Sequence, residues 1–531
     1  MGFTRRQVLT SAGLAVAGVA VGTKKASALS TNPISLGAMF KLIDNAAGTL
    51  VFQVRTDAPA YVRVGSDPAG MPSRLSAWTP TLSMSDPTGH PNTHEAQVTF
   101  AGCQLPGEAG SFVIHVSSNS TGSPLTTDPG RYTAPARPGV GSPSRFAFLA
   151  GSCQNTDYPT LREFQADNAT LTSATAHSRD KGWPVFTQAL TPGNWTTAGQ
   201  PLEFFHIGDW GYPDATTAVA QEYEDTTLIG YKSANQWVKR HQQLRPLLQS
   251  MPVTALMDDH DYGQDGAYRG STTTPVVPSG YLPAKGPYKD FAALAFQDTL
   301  PDYPFVSEGT QPPNRVQYVG QVAFLTLDNR KWADPEASNP SYWQNVAYWS
   351  TVGGGSGGFD AGSQMAWLTN QIAAAQAGGS KVITILSPRT FHLYYSRPER
   401  KALMNWLTAH AIATRLLWVT GDKHCQGHFQ WVDHTSGLKM DEVLVCPLHQ
   451  RTGSLSPFTT GQLAKDDDYT RTPTHLTDAW TFARKWPLGN PPPGPVAEVI
   501  GYFDVDTTGA SPVIIFKMIT GTGATLYSAT I

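Results

Sequence analysis

From Pro33 to about Arg137 apolar and polar residues alternate in short runs, as in Thr49-Leu50-Val51-Phe52-Gln53-Val54 and Ser111-Phe112-Val113-Ile114-His115-Val116. A period of two places successive side chains on opposite faces of a strand. With turn residues between the runs, the pattern predicts an antiparallel β-sandwich of the fibronectin or immunoglobulin kind over 33–137. Pro135, Pro138, Gly139, Gly141 and Pro143 then read as a linker, and a second domain is expected over 144–531.

In that second stretch the pattern changes. Continuous apolar runs of strand length each end in a polar cluster. Phe146-Ala147-Phe148-Leu149-Ala150 leads to Gly151-Ser152-Cys153-Gln154, and Phe204-Phe205-His206-Ile207 leads to Gly208-Asp209-Trp210-Gly211-Tyr212. Val253 to Met257 leads to Asp258-Asp259-His260-Asp261, Ala323 to Leu327 to Asp328-Asn329-Arg330, and Leu416 to Thr420 to Gly421-Asp422-Lys423-His424. Helices are predicted over Ala234–Gln249, Ser363–Ala375 and Arg397–Ala413, the second from the spacing of Met365, Leu368 and Ile372. Strand-like runs return from Val496 to Ile531 and are expected to finish a sheet. The fold class is α/β, or α+β, with a layered sheet.

The N-terminus reads as a cleavable export signal over 1–28. Arg5-Arg6 precedes a small-residue apolar stretch from Ala12 to Gly22 and then Ala26-Ser27-Ala28. Paired arginines favour the twin-arginine export machinery as a partner. The stretch is shorter than the roughly 20 residues that cross a bilayer, so a mature protein without a transmembrane span, secreted or periplasmic, is expected from Leu29. A formal net charge of −3 over 531 residues, without a basic block, gives no nucleic-acid-binding signature. Four cysteines are too few for a disulfide scaffold. Cys103 reads as core, and Cys425 and Cys446 as either a disulfide or buried free thiols.

Polar residues just after buried strands face the crevice where open sheets bind ligands. A lone Asp or His there is commonly a helix cap. Asp209, Asp258, Asp259, Asp422 and His424 together are different, because gathered carboxylates repel unless cations neutralise them. A metal site is the expected resolution.

The ordered motifs resemble those of the alkaline phosphatase D (PhoD) family of metallophosphoesterases. Gly151-Ser152-Cys153-Gln154 resembles its Ser-Cys-Gln element, Gly208-Asp209 with Tyr212 its Gly-Asp-x-x-Tyr, and Asp258-Asp259-His260-Asp261 its Asp-Asp-His-Glu. Asp328-Asn329-Arg330 looks like its Asp-x-Arg, Gln364 with Trp367-Leu368 its Gln-x-x-Trp-Leu, and Gly421-Asp422-Lys423-His424 its Gly-Asp-Val-His. The resemblance implies a metallophosphoesterase-like catalytic domain in which Cys153, Asp209 and Tyr212 hold Fe(3+) and Asp209 bridges to Ca(2+). Asp259, Asp422 and His424 would complete the cluster, with Asp258 beside them. A thiolate and a phenolate suit a trivalent ion and carboxylates suit calcium. The expected activity is hydrolysis of phosphate monoesters or diesters, or of phospholipid, by water that the cations activate. His260 either protonates the leaving oxygen or orients Asp259, and Arg330 either clamps phosphate or makes a structural ion pair. Arg389 and His392 are weaker candidates that match no motif.

Three positions depart from the family pattern: Pro213 and Asp261 stand where glutamates are usual, and Lys423 replaces a small apolar residue. Two other readings compete. Gly354-Gly355-Ser356-Gly357-Gly358 fits a serine-hydrolase pattern but lacks the preceding strong strand. A non-catalytic secreted binding protein, in which the N-terminal sandwich and the 14 tryptophans hold a glycan or cell-surface ligand, would rest on aromatic residues that are ordinary core material.

Overall fold

A computed structural model describes residues 38–56, 59–66, 74–84, 93–119, 126–127, 131–154, 183–211, 238–239, 243–262, 296, 299–300, 315–327, 364–391, 397–422, 424, 426–448, 480–486 and 498–531. The export segment, Tyr212, Pro213, Asp328-Asn329-Arg330, Ser356, His392, Lys423, Cys425 and the side chain of Asp259 lie outside the described residues.

The N-terminal strands are β1 (Met39–Asp44), β2 (Thr49–Thr56), β3 (Tyr61–Ser66), β4 (Thr79–Pro80) and β5 (Leu82–Met84). They continue with β6 (Thr93–Phe100), β7 (Gly110–Ser117), β8 (Thr126–Thr127) and β9 (Tyr132–Ala134). One antiparallel sheet runs β1-β2-β6-β5; the other runs β4-β3-β7-β8 with β9 also on β7. Along β7 burial alternates, as a strand with one face on a core requires. Phe40, Phe52 and Val98 from one sheet and Val64, Phe112 and Ile114 from the other fill a single apolar cluster, with the Phe52 and Phe112 rings edge-on at 5.4 Å.

The rest of the chain builds two mixed sheets with few helices, a β-rich α/β fold. In chain order its elements are β10 (Arg145–Gly151), α1 (Pro184–Ala189), β11 (Pro201–Ile207), α2 (Arg245–Ser250), β12 (Val253–Leu256) and α3 (Asp259–Tyr262). Then come β13 (Arg315–Val319), β14 (Val322–Thr326), α4 (Gln364–Ala377), β15 (Val382–Ser387), α5 (Arg397–Ala409) and β16 (Arg415–Thr420). The last are β17 (Gln426–Asp433), β18 (Lys439–Val445), β19 (Trp480–Trp486), β20 (Val499–Asp506), β21 (Val513–Thr520) and β22 (Thr525–Thr530). The first sheet is β12-β11-β10-β20-β21-β22 and the second β13-β14-β15-β16-β18-β17-β19. Strands β10, β11 and β12 are parallel, as are β14, β15, β16 and β18. The C-terminal strands complete the first sheet, β20 antiparallel to β10.

Three apolar clusters fix the layering. Phe148, Phe205, Phe324, Leu417 and Phe503 lie between the two sheets, where Phe205 stacks on Phe324 at 5.0 Å and Phe148 on Phe503 at 4.7 Å. Each such fully buried ring stabilises the fold by ~1.5–3 kcal/mol. The outer face of the first sheet packs on α1 and α2, and that of the second on α4 and α5. Both faces of the parallel strands are therefore dry, which makes their sequences predominantly apolar, with buried polar exceptions such as Glu203 and His206 on β11 and Asp441 on β18. Helix α4 buries Met365, Leu368, Ile372 and Ala375. It stops at Gly379 (φ +81°), with Gly379 N–H bonding Gln376 O at 3.0 Å and Ser380 N–H bonding Ala375 O at 3.0 Å, the paired bonds of a left-handed helix cap.

Strands β17 and β18 are not predicted by the apolar pattern because they bury polar side chains that satisfy one another. His428 Nε2 lies 2.9 Å from Asp441 Oδ1 and its Nδ1 2.8 Å from the Tyr527 hydroxyl, while Gln430 donates to Asp441 at 3.0 Å and Arg415 pairs with the same carboxylate. The N-terminal unit is tied to the rest by Asn45, which donates to Pro138 O (2.9 Å) and Tyr318 O (3.2 Å), and by Arg315 donating to Ile43 O at 2.6 Å.

Candidate metal centre

Parallel strands deliver their C-terminal ends to one edge of a sheet, and here both sheets meet at that edge. A methyl group on Gly421, just after β16, would stand 2.4 Å from Ser152 Oγ and 2.7 Å from Ile207 O, which belong to the ends of β10 and β11. One on Gly208 would stand 2.6 Å from Asp258 Cβ. Glycine at these positions lets four strand ends converge.

At the convergence the donor atoms of Cys153, Asp209 and His424 all lie within 4.8 Å of one another. Cys153 and Asp209 are fully buried and His424 is partly exposed. The backbone marks the same place. Among the described residues five non-glycines have positive φ: Cys153 (60°), Asp209 (57°), Ala411 (49°), Asp422 (71°) and His424 (47°). Ala411 caps α5, with Ile412 N–H bonding Leu407 O at 3.1 Å and Ala411 N–H bonding Thr408 O at 3.1 Å. The other four are sequence-predicted metal ligands. A left-handed non-glycine costs ~1–3 kcal/mol and persists only where its surroundings hold it.

Those surroundings are specific. The Asp261 carboxylate accepts the N–H of Asp209 at 2.8 Å, Gly211 at 3.0 Å and Asp258 at 2.9 Å. Asp209 Oδ1 accepts the N–H of His260 at 3.3 Å, and the N–H groups of Cys153 and Gln154 bond Gly208 O (3.2 Å) and Asp209 O (3.3 Å). Ser152 Oγ lies 3.4 Å from Cys153 Sγ, and Leu448 N–H bonds Ser152 O at 2.8 Å.

Burial pushes the Cys153 thiol well above its usual range, and the neighbouring Cys446 thiol and Asp209 carboxylate push the same way. Burial likewise carries Asp261 up to about 7 against four opposing backbone N–H groups, those of Gly211, Asp258, Trp210 and Asp209. The donor set fits a cation: thiol, carboxylate and imidazole converge in a dry place that penalises negative charge, and a bound cation reverses that penalty.

Asp258 is fully buried beside Gly208, and Asp422 is half-buried in the loop of His424; both stand outside the three-donor group. Asp259 opens α3, and His260 is partly exposed on it. Arg389 follows β15 level with that loop, where Gly421 N–H bonds Pro388 O at 3.3 Å and Ser387 Oγ bonds Arg389 O at 2.6 Å. Cys446 is a buried free thiol, and Cys103 is buried in the N-terminal cluster, its thiol pushed up to about 11 by burial. Two residues of the site are not evident in the sequence as such. Asp261 is visible only as a departure from a motif, and Cys446 carries no local signal at all.

A solved structure of PhoD is similar in fold over 95% of this chain and 94% of its own, with a TM-score of 0.55 and 13% identity. At that identity the likeness is one of fold. No family model matches the chain, and no curated protein matches it in sequence. No described helix is long and apolar enough to cross a membrane.

Proposed function

We propose that this chain is a metal-dependent phosphoesterase of the alkaline phosphatase D kind that hydrolyses phosphate monoesters or diesters. It is exported by the twin-arginine route after loss of residues 1–28, with a β-sandwich over 33–137 and a layered metallophosphoesterase domain over 144–531. The observation that carries this reading is the convergence of Cys153, Asp209 and His424 donors within 4.8 Å at the ends of buried strands. The motif order and the fold likeness to PhoD agree with it.

In this reading Cys153, Asp209 and Tyr212 would hold Fe(3+), Asp209 would also serve a neighbouring Ca(2+), and Asp258, Asp259, Asp422 and His424 would complete the metal cluster. Bound there, the cations supply an acidified water and positive charge against the phosphoryl oxygens. The protein supplies the rest. Asp209, clamped by Asp261 and His260, keeps its carboxylate in place through the reaction. His260, partly exposed and on a short helix bonded to that same carboxylate, donates a proton to the leaving oxygen. Arg330 clamps the substrate phosphate with its planar fork of donors.

The test is metal analysis of the purified protein together with hydrolysis of a phosphate monoester, a phosphate diester and a phospholipid before and after chelation. Stoichiometric iron and calcium, a coloured protein and chelator-sensitive cleavage are expected, with the monoester preferred. A colourless, metal-free protein that cleaves none of the three refutes the proposal.

A further inference from the structure

Besides the Cys153 loop after β10, two loops carry candidate ligands of the first sheet. Asp209 lies after β11, and Asp258 to Asp261 lie after β12. Nothing in the strand pairing fixes these loops relative to each other beyond the last register pair, Ile207 with Leu256. The side chain of Asp261, only 4% exposed, does so instead. Its Oδ2 accepts from Asp209 N–H and from Asp258 N–H, one in each loop, and its Oδ1 accepts from Gly211 N–H. Asp209 is thereby held from both sides, its N–H by Asp261 and its C=O by the Gln154 N–H. Gln154 is pinned in turn, since its Nε2 donates to Trp210 O at 3.0 Å.

That double hold is what a left-handed aspartate needs. Freed, Asp209 would relax from φ 57° toward the broad allowed region, and its carboxylate would swing away from Cys153 and His424. The three bonds are all buried, and each N–H left without its acceptor costs ~1–3 kcal/mol, so the loops have a strong reason to stay where Asp261 puts them.

We propose that Asp261 is the positioning residue of this metal centre: it touches no metal, and through the backbone of Asp209 and Asp258 it sets how tightly the site holds its cation. The proposal rests on the metal-site reading above. Length matters as well as charge. Asp reaches all three N–H groups from the third residue of α3, whereas glutamate, one methylene longer, must fold back to reach the same points. Asparagine keeps the length but offers an NH2 where one N–H now finds an acceptor.

The experiment is Co2+ titration of chelated, full-length protein, followed by calorimetry and by the thiolate-to-cobalt absorption that reports Cys153. Asp261→Asn should keep one full thiolate absorption at saturation while its dissociation constant rises ~10–100-fold, the usual effect of losing a group that orients a ligand. Asp261→Glu should fall between Asn and wild type. A D261N affinity within twofold of wild type overturns the proposal whatever its melting temperature, because a purely structural residue lowers stability without changing the site. D261E binding no better than D261N overturns it too.

Should D261N fail to fold, amide exchange on the wild type decides. The amides of Asp209, Gly211 and Asp258 should slow together on Co2+ loading, and unchanged exchange with a filled site overturns the coupling. Wild-type protein that takes up no Co2+ refutes the metal-centre reading itself, a different outcome from a loaded wild type with indifferent variants.

Discussion

His206 sits in β11, an inner strand of the first sheet, fully buried, with neither ring nitrogen finding a hydrogen-bond partner among the described residues. Its ring lies edge-on to Phe204 at 5.9 Å and against Trp210 at 4.9 Å. Nothing there welcomes a positive charge, and burial drives its pKa from 6.5 down to about 3. The folded protein therefore keeps this imidazole neutral at acidities where the unfolded chain has protonated it. Stability from this source is intact above the unfolded value and is lost as pH falls through 6.5 toward 3, because the unfolded state binds the extra proton. With those two values, lowering the pH from 7 to 5 removes about 2 kcal/mol. The assay is urea unfolding of chelated protein at both pH values, followed by tryptophan fluorescence. Using metal-free protein keeps ligand protonation out of the comparison. His206→Leu is similar in volume and cannot titrate, so its loss of stability between pH 7 and 5 should be smaller than that of wild type by about 2 kcal/mol. At pH 7 it should be no less stable, since it removes two polar atoms that gain nothing from burial. Equal losses in the two proteins would refute the account of a dry, unpartnered imidazole.

Two further outcomes follow from the convergence of strand ends. Gly421→Ala drives a methyl to within 2.4 Å of Ser152 Oγ and 2.7 Å of the Ile207 carbonyl, backbone that cannot yield; a stability loss of ~1–3 kcal/mol with weakened Co2+ binding is expected. Gly437→Ala, in open space at φ +74°, is the control that should cost only its backbone strain and leave Co2+ affinity unchanged. Saturating the wild type with Co2+ at 100 times its dissociation constant should raise stability by about 2.7 kcal/mol, and Cys153→Ser should lose most of that gain at the same free Co2+. A C153S protein stabilised as much as wild type would remove Cys153 from the donor set.

What the sequence makes legible depends on how a residue meets its environment. Strands β10, β11, β12, β14, β15 and β16 can be read directly because both their faces are dry, so their apolar runs have one meaning. Helix α4 is readable from Met365, Leu368 and Ile372, and the structure extends it only to the glycines that cap it. The hairpin of β17 and β18 is hidden for the opposite reason. His428, Asp441 and Glu442 look like surface residues one at a time, and they are buried because each finds partners: His428 and half-buried Gln430 bond Asp441, and Glu442 accepts the Phe391 N–H at 2.7 Å. The candidate ligands show the same split between type and conformation. Their identities stand at the ends of legible strands, but no local rule predicts a left-handed Cys153, Asp209, Asp422 and His424 together, since even Asp and His, which visit that region more often than most residues, adopt it only in a small minority of cases. Such a conformation has to be imposed from elsewhere. For Asp209 it is imposed by the main chain of Gln154 and by Asp261, a residue that the sequence distinguishes from its neighbours only by being one methylene too short for its motif. Local rules thus fail at the place where three separate loops constrain one another, and that failure itself separates the candidate metal centre from the helix cap at Ala411, where the same backbone conformation is explained within five residues of chain.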